Sequence, residues 1–200
     1  MLVQESVLDV PEWVLADGIF TPQALHSDGQ DAGSAILVRG GRISRNQLVT
    51  IAGSYAAAAE VVGVDGTIIV VSVHVDTKDQ KKNLRALIDA LVQTTEGKRF
   101  VIGGDFNACR RYDEVYKKNA YGWFFAELAE RGFHDCHFGL HAREERSFWG
   151  HQAKEAYQLD HFFVAHEDAA KVQSCAVVTT DETQRLSDHS PLVLDLAPST

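Results

Sequence analysis

The stretch from Ala56 to Val75 constrains the fold more than any other. Two apolar arms, Ala56–Val64 and Thr67–Val75, flank Asp65-Gly66, and an Asp-Gly pair supplies the positive φ angles of a two-residue hairpin turn. The second arm, TIIVVSVHV, is almost continuously apolar, so it reads as a strand covered on both faces. Such a strand belongs inside a layered structure. Further strands are expected at Ala35–Arg39, Leu48–Ala52, Phe100–Gly103, Tyr157–Val164, Val172–Thr179 and Pro191–Leu196. The segment Lys81–Thr94 places Leu84, Leu87, Ile88, Leu91 and Val92 on one helical stripe, with Asp79 as N-cap and Gly97 past its end. A second helix is expected at Tyr121–Arg131, burying Phe124, Phe125 and Leu128 and closed by Gly132. Leu25–Gly33, LHSDGQDAG, reads as a surface loop. Many strands with few helices, in no regular alternation, predict an α/β (α+β) fold of stacked sheets with helices outside.

Length and charge narrow the function. Two hundred residues without a composition shift predict a single domain spanning 1–200. No apolar run approaches the ~20 residues that span a bilayer. The start, MLVQESVLDVPEW, lacks the basic, apolar pattern of a secretion signal. Cys109, Cys136 and Cys175 are odd in number and widely spaced, which argues against a disulfide framework. The expectation is a cytoplasmic chain without a membrane span. Net charge is 19 − 28 = −9, so bulk attraction to phosphates does not make this a general nucleic-acid binder. Action on a phosphate would need a metal ion or a local basic patch.

The acids and histidines fall where predicted strands end. His74 follows IIVVSV, Asp105 and Asn107 follow FVIGG, Asp160 lies inside YQLDHFFV, and Asp188-His189 precede SPLVLDL. Strand ends gathered at one rim bring residues from distant sequence to one pocket. Singly, each has a plain structural reading. Asp105 and Asp188 suit turns, and a lone histidine in a strand is commonly a core residue. Asp160 is harder to explain away, because a carboxylate inside a buried strand is costly unless paired. A zinc reading of His134, Cys136, His137 and His141 fails on spacing, and that segment reads as a strand followed by a loop. Cys109 reads as a buried thiol.

Candidate substrate residues follow the GGDFNA motif. Arg110-Arg111 and Tyr112 come first, then Lys117-Lys118, Tyr121 and Trp123. Basic residues among aromatics suit a nucleic-acid strand. A second candidate loop runs through His141–Arg146 to Phe148-Trp149. The plain alternative places Phe124 in the core and the lysines on a solvated face.

The motifs SVHVD, GGDFNA, YQLDHFFV and LSDHSPL, in this order and preceded by LVQES, resemble the endonuclease/exonuclease/phosphatase superfamily over roughly residues 2–197. Its members include deoxyribonuclease I, abasic-site endonucleases, deadenylases, sphingomyelinases and inositol-polyphosphate phosphatases. The resemblance implies a four-layer α-β-β-α sandwich with two mostly antiparallel sheets. It implies that Glu5 and Asp188 hold Mg²⁺ or Mn²⁺, and that Asp105 orients or deprotonates a water and also touches metal. It further implies that Asn107 donates to a phosphate oxygen, that His189 contacts the phosphate and is oriented by Asp160, and that His74 donates a proton or hydrogen bond nearby.

The sequence departs from the family pattern at its start, where the usual first strand and its Asn have no room before Gln4. A second copy pairing across the resulting sheet edge, as a homodimer, is one expected remedy. The function expected is a divalent-metal-dependent phosphoester hydrolase, a nuclease or phosphodiesterase with nucleic acid or another phosphoester as substrate. The alternatives are a phosphatase or lipid phosphodiesterase of the same fold, or a non-catalytic binding module.

Overall fold

The computed structural model describes residues 2–7, 19–20, 32–38, 42–51, 54–63, 66–150 and 155–198. The chain divides into two compact units, Met1–Asp105 and Phe106–Thr200.

The first unit holds β1 (Leu2–Val7), β2 (Ile19–Phe20), β3 (Ala32–Leu37), β4 (Arg42–Ile51), β5 (Ser54–Gly63), β6 (Gly66–Val75), α1 (Gln80–Thr95) and β7 (Phe100–Asp105). One antiparallel sheet runs β1-β3-β2. In the other, β4, β5 and β6 pair antiparallel in sequence order, and β7 pairs parallel with β6. A parallel neighbour requires a crossover, and α1 supplies it. β3 packs against β5 and β6, β1 packs against β6 and β7, and α1 packs against β4 and β6. β6 is therefore covered by a sheet on one side and a helix on the other, which accounts for its unbroken apolar run. Ala56, Ala57, Ala58 and Ala59 are all buried in β5. Alanine is a modest strand former, but its small side chain lets packed layers approach, and Ala57 and Ala59 join Ile36 in one core cluster.

Gly66, expected in the hairpin turn, pairs with Gly63 instead, and residues 64 and 65 lie outside the described residues. Gly66 belongs to the ladder and takes a φ of 96°. β3 starts at Ala32, inside the segment read as loop, while 25–31 lie outside the described residues. β4 starts earlier than expected, and Arg39 and Ala52 fall outside the described residues. Leu84, Leu87, Ile88 and Leu91 are buried along α1 as the periodicity predicts. Asp79 occupies the N-cap but makes no side-chain cap, having a φ of 56°. Asn83 ties down the entry to the helix by donating to the Asp76 and Lys78 carbonyls.

The second unit holds α2 (Arg110–Tyr116), α3 (Gly122–Glu130), β8 (Phe133–Asp135), α4 (Cys136–His141), β9 (Asp160–Ala165), a 3-10 turn (His166–Lys171), β10 (Val172–Val177), α5 (Asp181–Leu186) and β11 (Leu192–Leu196). β8 pairs antiparallel with β9, and β10 with β11. β11 packs against β9, α3 packs on β8, and α4 packs on β8, β9 and β10. The core is aromatic: Phe106 meets Phe163 edge-on at 5.3 Å and Phe124 at 6.0 Å. Phe124, Phe125 and Leu128 are buried on α3, and Gly132 follows its end with a φ of 84°.

Two expectations in this unit need correction. The segment after β8 is a helix, not a loop, because the Asp135 carboxylate accepts from the Phe138 amide at 3.1 Å and caps α4. β9 opens at Asp160, whereas the sequence pattern predicts a strand from Tyr157. Residues 157–159 are instead engaged irregularly: the Ser147 amide donates to the Tyr157 carbonyl, the Phe106 amide to the Leu159 carbonyl, and the Leu159 amide to the Ser147 hydroxyl. The fold is a mixed α/β arrangement of packed sheets with helices. No helix among the described residues is long and apolar enough to cross a membrane.

Candidate active site

In the first unit the site begins with strand direction. β6 and β7 run parallel, so their C-terminal ends lie at the same edge, and His74 and Asp105 are register partners there. His74 Nε2 lies 3.8 Å from Asp105 Oδ2, and both residues are buried. Gly104 makes this closeness possible. Its φ is 144°, and a Cβ at that position would collide with the Val73 carbonyl oxygen. Only glycine lets β7 approach β6 so tightly just before Asp105.

Glu5 lies on β1 between Val3, which pairs with Ala35, and Ser6, which pairs with Gly33. Three steps along β1 thus oppose two along β3, a bulge of the kind that accompanies functional sites. The Glu5 side chain lies outside the described residues.

In the second unit the acid and the histidine of two distant motifs meet. His189 Nδ1 donates to Asp160 Oδ2 at 2.8 Å. The Ser147 hydroxyl donates to the same oxygen at 2.7 Å, and itself accepts from the Leu159 and Asp160 amides. With Nδ1 bound to a carboxylate, the outward nitrogen of His189 is Nε2. The backbone sets this up. Phe148 and His189 form an antiparallel bridge, the Ser190 amide donates to the Ser147 carbonyl, and the Trp149 amide donates to the Asp188 carbonyl, each at 2.7 Å. The Phe148 ring lies 5.0 Å from the His189 ring. Asp188 is exposed.

Asn107 has a φ of 50° between buried Phe106 and Ala108, a left-handed conformation that asparagine tolerates better than most residues. His161, the histidine of LDHFF, holds this turn from behind. Its Nε2 lies 3.0 Å from the Ala108 carbonyl, which requires that nitrogen to donate. Its Nδ1 faces Asp135 Oδ2 at 3.4 Å. Burial opposes charge on His161, but the Asp135 carboxylate outweighs it and holds the ring above its usual value of 6.5. Burial likewise opposes charge on Asp135, but His161 and then Arg110 outweigh it and hold that carboxyl well below its usual value of 3.8.

The proposed substrate residues divide. Arg110 serves the interior: its guanidinium donates to Asp135 at 2.8 Å and lies between the Phe125 and Phe138 rings, 3.7 and 4.1 Å from their centroids. Arg111 is exposed and pairs with Glu114 and Glu155. Trp149 donates through Nε1 to the Ser190 hydroxyl and carries Arg146 on its face. Tyr112 packs among other tyrosines.

Sequence reasoning missed Ser147, Gln158 and Glu144. Gln158 is fully buried, accepts from the Glu145 amide and donates to the Asp160 carbonyl. Glu144 accepts from the Arg110 and Arg111 amides at 2.7 and 2.8 Å and so caps α2 from a distance in sequence. Gln158 lies inside YQLDHFFV and Glu144 inside the candidate loop His141–Arg146, but neither residue type there announces its role. The only signal for Ser147 is its place just before an aromatic pair.

The expected metal ligands Glu5, Asp105 and Asp188 are all carboxylates, hard oxygen donors that suit Mg²⁺ or Mn²⁺. Among the described residues no group of three or more His, Cys, Asp or Glu side chains is placed to hold a metal ion. Of the histidines considered for zinc, His141 has its Nε2 3.1 Å from the Cys175 carbonyl. The thiols of Cys109 and Cys175 are buried, and burial pushes each up to about 12.

Packed α/β layers with acids and histidines at strand ends define a class of fold in which rigid strands present polar side chains. The chain belongs to the Endonuclease/Exonuclease/phosphatase family, whose model matches residues 1–189. No curated protein matches it. Its structure is similar to that of a 3′ phosphatase, NExo, from Neisseria bound to a product DNA hairpin. The two are 16% identical with a TM-score of 0.74, over 98% of this chain and 88% of that one. It is also similar to an endonuclease/exonuclease/phosphatase from Beutenbergia cavernae, at 17% identity and a TM-score of 0.72, over 98% of this chain and 61% of that one. A humanized D. rerio TDP2 shares 15% identity with a TM-score of 0.67, over 98% and 84%. Likeness at these identities speaks for the fold.

Proposed function

We propose that this chain is a divalent-metal-dependent phosphoester hydrolase acting on nucleic acid, a nuclease or phosphodiesterase. The hydrogen bond from His189 to Asp160, braced by Ser147, is the observation that carries the reading. A surface histidine needs no buried carboxylate behind it, whereas one that must meet an anionic phosphate with a fixed ring orientation does.

In this proposal each residue has a stated task, and Asp105 has two. Asp105 takes a proton from the attacking water as its oxygen bonds to phosphorus. Asn107 donates its amide to a non-bridging oxygen, and a neutral donor there does not compete for the proton. Nε2 of His189 donates to the phosphoryl group as charge gathers on it. His74 gives a hydrogen bond or proton near the reacting phosphate. Glu5, Asp188 and Asp105 would hold Mg²⁺ or Mn²⁺, which when bound neutralises phosphate charge and eases departure of the leaving oxygen.

A second reading keeps the machinery and changes the ester to a terminal phosphate. The net charge of −9 favours it, because a small phosphomonoester needs no long basic groove, and the Neisseria neighbour is described as a 3′ phosphatase.

The test is a substrate panel of plasmid, single-stranded DNA, abasic duplex, RNA and 3′-phosphorylated ends, with Mg²⁺, Mn²⁺ or chelator. Metal-dependent hydrolysis that Asp105→Ala abolishes is expected. No hydrolysis with either metal, or equal hydrolysis by Asp105→Ala, would remove the proposal.

A further inference from the structure

The second unit carries an aromatic cluster that the catalytic residues do not use. Tyr112 and Tyr116 are one turn apart on α2, with ring centroids 4.6 Å apart. Tyr121, at the start of α3, meets Tyr112 at 5.3 Å, and Tyr157 lies 6.2 Å from it. α2 buries no residue, so Tyr112 and Tyr116 are not there to fill the core. Tyr116 is 49% exposed, and the Tyr157 hydroxyl lies 3.5 Å from its own.

Lys117 and Lys118 follow Tyr116 directly, both are exposed, and neither side chain forms an ion pair among the described residues. Lys117 turns the chain out of the helix with a φ of 52°. The acids nearby are occupied elsewhere. Asp113 accepts from the Ala120, Tyr121 and Gly122 amides, and Glu114 and Glu155 pair with Arg111. In a chain of net charge −9, Lys117 and Lys118 are exposed cations directly after the half-exposed Tyr116. Flat rings accept the face of any base, and ammonium groups beside them accept the backbone phosphates. Paired bases in a duplex do not offer that face.

We propose that Tyr112, Tyr116, Tyr121 and Tyr157, with Lys117 and Lys118, form a stacking surface for unpaired bases, so that the preferred substrate is single-stranded nucleic acid. This deepens the hydrolase reading and rests on it for the kind of substrate. Tyr157 lies three residues before Asp160, which ties the surface along the chain to the phosphate-directed histidine.

The test measures binding without turnover. Fluorescent single-stranded DNA, single-stranded RNA and duplex DNA of equal length are titrated in chelator and followed by anisotropy. Tighter binding of either single strand than of the duplex is expected. Tyr116→Ala, at an exposed position, should weaken that binding roughly 5- to 100-fold, while Tyr116→Phe should retain it. Lys117→Gln with Lys118→Gln should flatten the salt dependence. Binding that Tyr116→Ala leaves unchanged, or a duplex held as tightly as the single strands, overturns the proposal. Single-strand binding that needs Tyr116 but never leads to hydrolysis upholds this surface and overturns the hydrolase reading. Hydrolysis indifferent to Tyr116 does the reverse.

Discussion

A histidine held at Nδ1 has one nitrogen left for chemistry, and the second unit fixes which one. Asp160 Oδ2 takes hydrogen bonds from both His189 and Ser147. Asp160→Asn is isosteric but brings an amide that can present a donor to the ring and release the tautomer. If His189 serves the reaction as proposed, kcat falls about 10²- to 10⁴-fold with little change in the thermal midpoint. Steady-state kinetics beside a melting curve checks both. Ser147→Ala should loosen the same carboxylate and give a smaller loss in the same assay.

His161 and Asp135 make a different prediction, one about stability. His161 is raised above 6.5 in the folded chain, so its contribution is complete below that pH and is lost as pH rises through the raised value. Asp135 is lowered below 3.8, so its contribution is present above that pH and is lost as pH falls through the lowered value. Denaturant midpoints should therefore decline both as pH falls below 3.8 and as it rises above 6.5. Asp135→Asn should be less stable at about pH 6, between those two windows, and should lose the decline on the high-pH side. A variant with the same slope as the parent would contradict the pairing.

Elements differ in how locally they are specified. α1 and α3 were legible because each buries a stripe of large apolar residues at helical spacing. α2 was not, because it buries nothing and its cap comes from Glu144, far along the chain. Glu144→Ala should cost about 1 kcal/mol by uncapping it, read from a denaturant midpoint. The hairpin was legible in kind, but Gly66, read as a turn residue, pairs in the ladder. The sequence pattern ends β7 at Gly103, yet the strand runs on to Asp105 through Gly104, whose close approach to Val73 no composition rule reveals. Gly104→Ala should be destabilised by roughly 2–4 kcal/mol and should disturb the His74–Asp105 pairing. Unchanged stability would mean that β7 can move away from β6 at no cost.

Over the whole molecule, the proposed function sets an acidic chain against an acidic substrate. With a net charge of −9, the proposed hydrolysis depends on a cation to neutralise the phosphate. Chelator should abolish activity and added Mg²⁺ or Mn²⁺ restore it. Activity should also fall in acid as the ligand carboxylates protonate and release metal. A rate indifferent to chelator would set aside Glu5, Asp105 and Asp188 as ligands.

The order of motifs and the apolar period along the chain sufficed to specify the layered fold and the family. Both are written in residues that act over a few positions, as buried strand runs and short polar tips. Tertiary structure alone decided that Arg110 turns inward between two phenyl rings, that Ser147 braces Asp160, and that three other tyrosines gather around Tyr112. Those outcomes depend on side chains from separate stretches of the chain meeting in space. Hydrogen-bond reach and ring contact are set by packing, and packing has no local signature.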